Sequence, residues 1–261
     1  PIEWVSMFEI STLYAMNAAR LAERSEFAAA RSAFEASGEH KLGGSRPIAL
    51  VLQCRLDLVT GAVPLDQLGD MLAGWRRYGQ GLEWRERAHS ELTLAEVRQL
   101  LGDLPGAAQS CRDALARFAY SGDRLGEAYA HRAMGHMHVR GRSLSVAYRH
   151  YSEALKIFRR FDHRRGVAHV LRGLADWCLM KDRFTEAHQF YEKALSTYRD
   201  LGDRLGEANV QSSLGDLAAL LDEGTAAGAA CYLEALRIYR EIGVPWGERL
   251  AEERLANLQP R

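Results

Sequence analysis

The seven residues Gly-Asp-Arg-Leu-Gly-Glu-Ala stand at 122–128 and again at 202–208. A diverged copy, Asp-His-Arg-Arg-Gly-Val-Ala, occupies 162–168, midway between them, so the working period is forty residues rather than eighty. A period of this size restricts the fold to a solenoid, an array or a propeller, because one unit is too small to bury its own apolar face and must stack on its neighbours.

The pattern within a unit selects helices. In the stretch from Asp123 to Asp162, Asp123 is placed to cap a helix whose apolar positions Ala130, Met134, Met137 and Val139 recur at helical spacing. The helix is expected to end near Arg140, with Gly141 as the left-handed stop. A second helix from about Ser143 carries Ala147, Tyr151, Ala154, Leu155 and Phe158 on one face. The short turn between them forces an antiparallel pair. A shift of forty turns Met134 into Leu174 and Gly135 into Ala175, and Ala147, Tyr151, Ala154 and Phe158 into Ala187, Tyr191, Ala194 and Tyr198. A further shift gives Leu214-Gly215, then, after one extra residue in the 222–227 turn, Tyr232, Ala235 and Tyr239. The backward shift gives Ala88, Leu94, Ala95, Ala107, Ala114 and Phe118.

The reading is therefore all-α: a right-handed superhelical solenoid of about six antiparallel helix pairs over 1–261, with regular repeats over 83–243. Residues 1–80 are read as divergent hairpins, 5–23 with 27–36 and 47–60 with 65–78. Residues 246–258 are read as a capping helix that shields the last apolar face.

A large apolar residue followed by Gly or Ala in the first helix, then Ala, aromatic and Ala in the second, resembles the tetratricopeptide repeat. The residues that carry the resemblance are Met134-Gly135 with Ala147, Tyr151 and Ala154, Leu174-Ala175 with Ala187, Tyr191 and Ala194, and Leu214-Gly215 with Tyr232 and Ala235. The usual unit is about thirty-four residues, so this chain looks like a longer, forty-residue subclass. The resemblance implies a concave groove lined by first helices. Residues that share the relevant face are Tyr129, Arg132, His136 and Arg140, then His169, Arg172 and Asp176, then Asn209, Ser212 and Asp216, with His89 and Glu96 in the preceding unit. Arginine forks suit carboxylates and peptide carbonyls, so the expected ligand is a protein or peptide segment. The carboxylate clamp of chaperone-binding relatives uses lysine and asparagine at these places, where histidine and aspartate stand here.

Composition narrows the alternatives. Thirty-four basic residues balance thirty-four acidic ones, so no net field recruits nucleic acid or an anionic membrane. The longest apolar runs, such as 48–52, fall far short of the roughly 20 residues of a membrane helix. Cys54, Cys111, Cys178 and Cys231 show no paired spacing, which fits reduced thiols and a cytoplasmic setting. No phosphate loop, paired acid and base, or activated nucleophile is visible, so no enzymatic activity and no cofactor are expected. Seven of the nine histidines lie between His131 and His188, without ligand spacing for a metal. A groove made pH-sensitive by His136 and His169 is a further expectation. Two functions remain: a peptide-binding scaffold, or the sensing module of a larger bacterial transcription regulator or signal-transducing NTPase. The arginine-rich basic set and the start without methionine favour a piece of such a regulator, and the terminal helices are a candidate surface for self-association.

Overall fold

The computed structural model describes residues 84–100, 102–221 and 225–258; the expected hairpins before residue 80 lie outside them. Among the described residues the chain forms α1 (Trp84–Leu100), α2 (Leu104–Ser121), α3 (Arg124–Arg140), α4 (Leu144–Arg160), α5 (Arg164–Leu179), α6 (Phe184–Leu201), α7 (Arg204–Leu220), α8 (Thr225–Ile242) and α9 (Pro245–Leu258). Consecutive helices pair as α1/α2, α3/α4, α5/α6 and α7/α8, and α9 packs on α8. Each first helix also touches the first helix of the next hairpin, so the first helices crowd onto one side of a helical solenoid.

The repeat has a finer clock than forty. Backbone φ is positive at Gly102, Gly122, Arg142, Asp162, Asp182 and Gly202, every twentieth residue, and again at Gly243 after the one-residue insertion. At each of these ends the following N–H reaches a carbonyl five residues back, as in Asp123 to Phe118 (2.9 Å), Ser143 to His138 (2.8 Å) and Asp203 to Tyr198 (2.9 Å). This is the Schellman closure of a helix C-terminus. It corrects one expectation: Gly141 has φ −80° and the left-handed residue is Arg142.

The duplicated heptapeptide is accounted for residue by residue. Gly122 and Gly202 take the left-handed turn, and Asp123 and Asp203 accept from the Gly126 and Gly206 N–H at 2.9 Å as N-caps. Arg124 pairs with Glu127 and Arg204 with Glu207 one turn on. Leu125 and Leu205 pack against the core, and Ala128 and Ala208 are fully buried. Gly126, read from sequence as part of the joint, is a seat for an aromatic ring. A Cβ there would stand 2.2 Å from Phe118, the last buried aromatic of the preceding hairpin. Gly166, Gly206 and Gly247 hold Phe158, Tyr198 and Tyr239 in the same way, with the same hypothetical contact at 2.4 Å. In the middle copy His163 replaces the capping aspartate, and its Nδ1 accepts from Gly166 N–H at 2.9 Å.

The core follows from these seats. Ala147, Tyr151, Ala154 and Phe158 are fully buried, and Ala187, Tyr191, Ala194 and Tyr198 are at most 1% exposed. Gly135 and Gly215 receive the faces of Tyr151 and Tyr232 from their own hairpins. Trp177 is buried and donates its indole N–H to the Leu144 carbonyl at 2.7 Å. Cys111 and Cys178 are buried free thiols and Cys231 is a partly buried one.

Candidate functional site

The second-helix tyrosines organise the groove. Because the hydroxyl of a buried tyrosine needs a partner, Tyr191, Tyr198, Tyr232 and Tyr239 each reach across their hairpin to a polar residue of the first helix. Tyr191 donates to Asp176 Oδ1 at 2.5 Å, and Tyr232 to Asp216 Oδ1 at 2.7 Å. One ring further along, the Tyr198 hydroxyl lies 2.6 Å from His169 Nδ1, and Tyr239 donates to Asn209 Oδ1 at 2.8 Å. In the two earlier hairpins phenylalanine takes this second place, and the first-helix residue answers with a ring: His89 meets Phe118 edge-on at 4.9 Å and Tyr129 meets Phe158 at 5.0 Å.

The expected groove residues are therefore positioned, and several are less free than a solvent-facing strip would be. Tyr129 also brings its hydroxyl to 3.4 Å from His163 Nε2. Arg132 pairs with Glu96 at 3.5 Å and lies over the Tyr129 ring at 5.9 Å. Arg172 Nη2 approaches His136 Nε2 at 3.5 Å, which brings α3 and α5 together at the groove floor. Ser212 is buried and accepts from Arg254 at 2.6 Å. The same arginine forms an ion pair with Asp216 at 2.7 Å. Arg140 stands apart from this set, exposed and donating to the Gln99 carbonyl at 3.2 Å.

Electrostatics corrects the expected pH-sensitive groove. Burial pushes His136 and His169 well below the ordinary imidazole value, and Arg132 and Arg172 push each in the same direction. Both rings are neutral around pH 7, so neither titrates there. Burial raises the Asp176 carboxyl, against the pull of Arg172 and the Tyr191 hydrogen bond. It raises Asp216 as well, against Tyr232 and Arg254.

Sequence reasoning missed two parts of this site. It gave the tyrosines no polar role, although Tyr at 198 and 239, where Phe stands at 118 and 158, marks the hairpins whose facing residue can hydrogen-bond. It also missed Arg254, which comes from the capping helix α9 and therefore obeys no repeat period. A histidine cluster went unread too: His131 and His150 bring their Nδ1 atoms to 2.9 Å across a hairpin, and His138 stacks on His150 at 5.5 Å. Burial, then its two neighbours, pushes His150 down to about 4. No metal-binding group of three or more side chains occurs among the described residues. No helix among them is long and apolar enough to cross a membrane.

Fold and groove define a class: a solenoid of helical hairpins whose first helices present an ordered polar face. The tetratricopeptide repeat family model matches residues 143–200. The structure resembles a Rap protein solved in complex with Competence and Sporulation Factor, with a TM-score of 0.70, 14% identity, and coverage of 95% of this chain and 70% of that one. It also resembles apo RapI (TM-score 0.58, 13% identity, 95% and 70% covered) and BtubC from P. vanneervenii (0.52, 19%, 76% and 96%). No curated protein matches the sequence significantly. Residues 143–200 are thus tetratricopeptide repeat sequence, and the described hairpins on either side continue the same fold on a forty-residue unit.

Proposed function

We propose that the protein is a non-enzymatic scaffold that captures an extended or helical segment of a protein partner in the groove of α1, α3, α5 and α7. One observation carries this reading: side chains at forty-residue intervals on successive first helices are held by tyrosine hydrogen bonds and ion pairs before any ligand arrives. Side chains already ordered lose less freedom on binding, so more of the contact energy is kept as affinity. The face also changes along its length, from Glu96 and Arg132 through Arg172 and Asp176 to Ser212 and Asp216, which provides a register for a directional ligand. The ligand-facing set is Tyr129, Arg132, His136, His169, Arg172, Asp176, Asn209, Ser212 and Asp216, with Arg140 at the rim. A fluorescence-polarisation screen of labelled pentapeptides tests the reading, with Arg132→Ala/Arg172→Ala as the comparison. Affinity should fall at least tenfold in the double variant, and undiminished binding would move the site to the outer face or the ends.

A second reading is favoured by the fold likeness to a Rap protein solved with a bound factor. In it the same groove is the sensing part of a larger bacterial regulator in the cytoplasm. A sensor needs two shapes that its ligand binds unequally. Small-angle scattering with and without a bound peptide separates the two: a changed radius of gyration supports sensing, and an unchanged one supports capture alone.

A further inference from the structure

We propose that the α3/α4 hairpin is an acid-opened joint of the solenoid, its seam closed by His131, His138 and His150 and parted when a second proton enters that cluster. On α3, His131, Gly135 and His138 lie at i, i+4 and i+7 and so share one face. That face receives α4: Tyr151 seats on Gly135, and His150, its neighbour in sequence, meets the two histidines. The Nδ1 atoms of His131 and His150 stand 2.9 Å apart. The His138 ring lies at 5.5 Å from that of His150, with 3° between the planes.

The same three places carry different chemistry in the other hairpins. A shift of forty puts Leu171, Cys178 and Phe190 there in α5/α6; the first two are buried and the third packs on the core. In α7/α8 they are Gln211, Ala218 and Cys231. In α1/α2 the last two are Arg98 and Ser110, and the Arg98 guanidinium donates to Ser110 Oγ at 2.8 Å and to the Gly106 carbonyl at 3.1 Å. Neither the neutral seams nor the Arg98–Ser110 bond changes charge between pH 7.5 and 5. The histidine seam does.

Two imidazole nitrogens this close hold one hydrogen between them: one Nδ1–H donates and the other Nδ1 accepts. When both rings are cationic both nitrogens are donors, and the hydrogen bond becomes a like-charge contact. A cationic His150 is also opposed by any charge on His138 stacked against it. Burial is the first force against protons here, holding His131 and His138 below the ordinary 6.5 and, with the two neighbouring rings, His150 at about 4. Arg124 at the start of α3, Arg112 of α2 and Arg149 of α4 act in the same direction, while Glu153 and Glu127 favour a proton on His131. The unfolded chain therefore takes up protons that the folded seam refuses. The stability contributed by the neutral rings is complete above 6.5 and is lost as pH falls from there toward about 4. Because Gly135 lies between the two α3 histidines on one face, the seam parts at the seat of Tyr151.

Hydrogen exchange of the full chain at pH 7.5 and pH 5, read by mass spectrometry and corrected for the intrinsic pH dependence of amide exchange, tests the joint. Between the two pH values, protection in α3 and α4 should fall about tenfold more than in α5 and α6. Installing the α5/α6 seam, in His131→Leu/His138→Cys/His150→Phe, should abolish the difference. His150→Gln, a milder change that keeps a polar side chain but cannot gain a charge, should remove most of it. His136→Gln, on α3 but on the groove side, should leave it in place. Protection that falls no further in α3 and α4 than in α5 and α6 overturns the joint. So does a difference that survives His150→Gln, or one that His136→Gln removes.

Discussion

Two hairpins of the same repeat, α3/α4 and α5/α6, solve one packing problem with different chemistry. Each buries a tyrosine from its second helix, Tyr151 or Tyr191, no more than 1% exposed. Tyr191 is closed by Asp176, so its hairpin is complete as a polar unit. Tyr151 meets His136 and Gly173 and keeps an unpartnered hydroxyl. Shape is thus the property the repeat preserves, while hydrogen-bond closure varies from hairpin to hairpin. At the C-terminal end closure goes further, since Arg254 from α9 ties Asp216 and Ser212 together. Along the first helices the hairpins thus pass from an unclosed middle to a satisfied end.

The largest expected effect tests whether shape is what the repeat preserves. A Cβ at Gly173 would stand 2.6 Å from the Tyr151 ring carbon Cζ and hydroxyl. Gly173→Ala should therefore overpack a buried ring, at a cost of about 1–3 kcal/mol. Ser213→Ala, which adds no atom beside Tyr191, should cost less. Urea midpoints of the two variants decide, and equal midpoints would remove the distinction between the two seats.

Next comes closure. Tyr191→Phe leaves the half-buried Asp176 carboxylate without this donor and should cost about 1 kcal/mol, the usual size for a lost hydrogen bond. Tyr151→Phe removes a hydroxyl that has no partner and should be neutral or stabilising. A cost for Tyr151→Phe equal to that for Tyr191→Phe would show that the two hairpins are equally closed.

Acid separates the histidines of the first helices from their carboxylates by sign. His136 and His169 have folded values below the ordinary 6.5. In the window below 6.5 the unfolded chain therefore binds more protons, and these rings make stability fall as pH falls. Asp176 and Asp216 have folded values above the ordinary 3.8. Just above 3.8 the folded chain holds more protons, so these carboxyls make stability rise as pH falls. No single group contributes a slope above about 1.4 kcal/mol per pH unit. Urea midpoints from pH 7.5 to 5 should fall for the parent, and less steeply for His169→Gln. A parallel slope for that variant would place the titration elsewhere, with the cluster of His131, His138 and His150 as the alternative.

Much of this was legible in the sequence because it depends on period and polarity. The joint glycines Gly122 and Gly202, the caps Asp123 and Asp203, the buried alanines and the placement of Arg132, His136, Arg172 and Asp176 on one face all follow from spacing alone. What was not legible depends on distance between helices. Spacing cannot show that Gly126 abuts Phe118, that His131 meets His150, or that α9 sends Arg254 back over the last hairpin. Gly141 was misread for a related reason: glycine is the usual left-handed residue, but the twenty-residue clock puts that conformation at 142, where an arginine adopts it.

The caps show the same contrast on a smaller scale. Asp103, Asp123 and Asp203 each accept from a first-turn N–H at 2.9 Å, and His163 does so through Nδ1 at the same distance. His163→Ala should cost about 1 kcal/mol. His163→Asp should recover most of that loss, short of the ring contact with Phe158 at 5.3 Å. If His163→Asp is no better than His163→Ala in urea, the histidine acts through its ring rather than as a cap.

The smallest effect is a gain, and it concerns the turns that bound the open hairpin. Arg142 and Asp162 lie on either side of α4 with φ of 56° and 49°, and Asp182 follows with 56°, where the equivalent turns at 102, 122 and 202 use glycine. A side chain in the left-handed region carries a steric cost of about 1–2 kcal/mol, offset in Arg142→Gly and Asp162→Gly by the greater freedom of an unfolded glycine. Each substitution should raise stability by about 0.5–1 kcal/mol. Gly122→Ala, at φ 70° with nothing within 4 Å of its added Cβ, isolates the backbone term and should lose a similar amount. If the gains appear without a change in peptide affinity, the strain around α4 is a residue of drift in a tolerant turn. If affinity falls as stability rises, the turns on either side of α4 also help to position the first-helix residues.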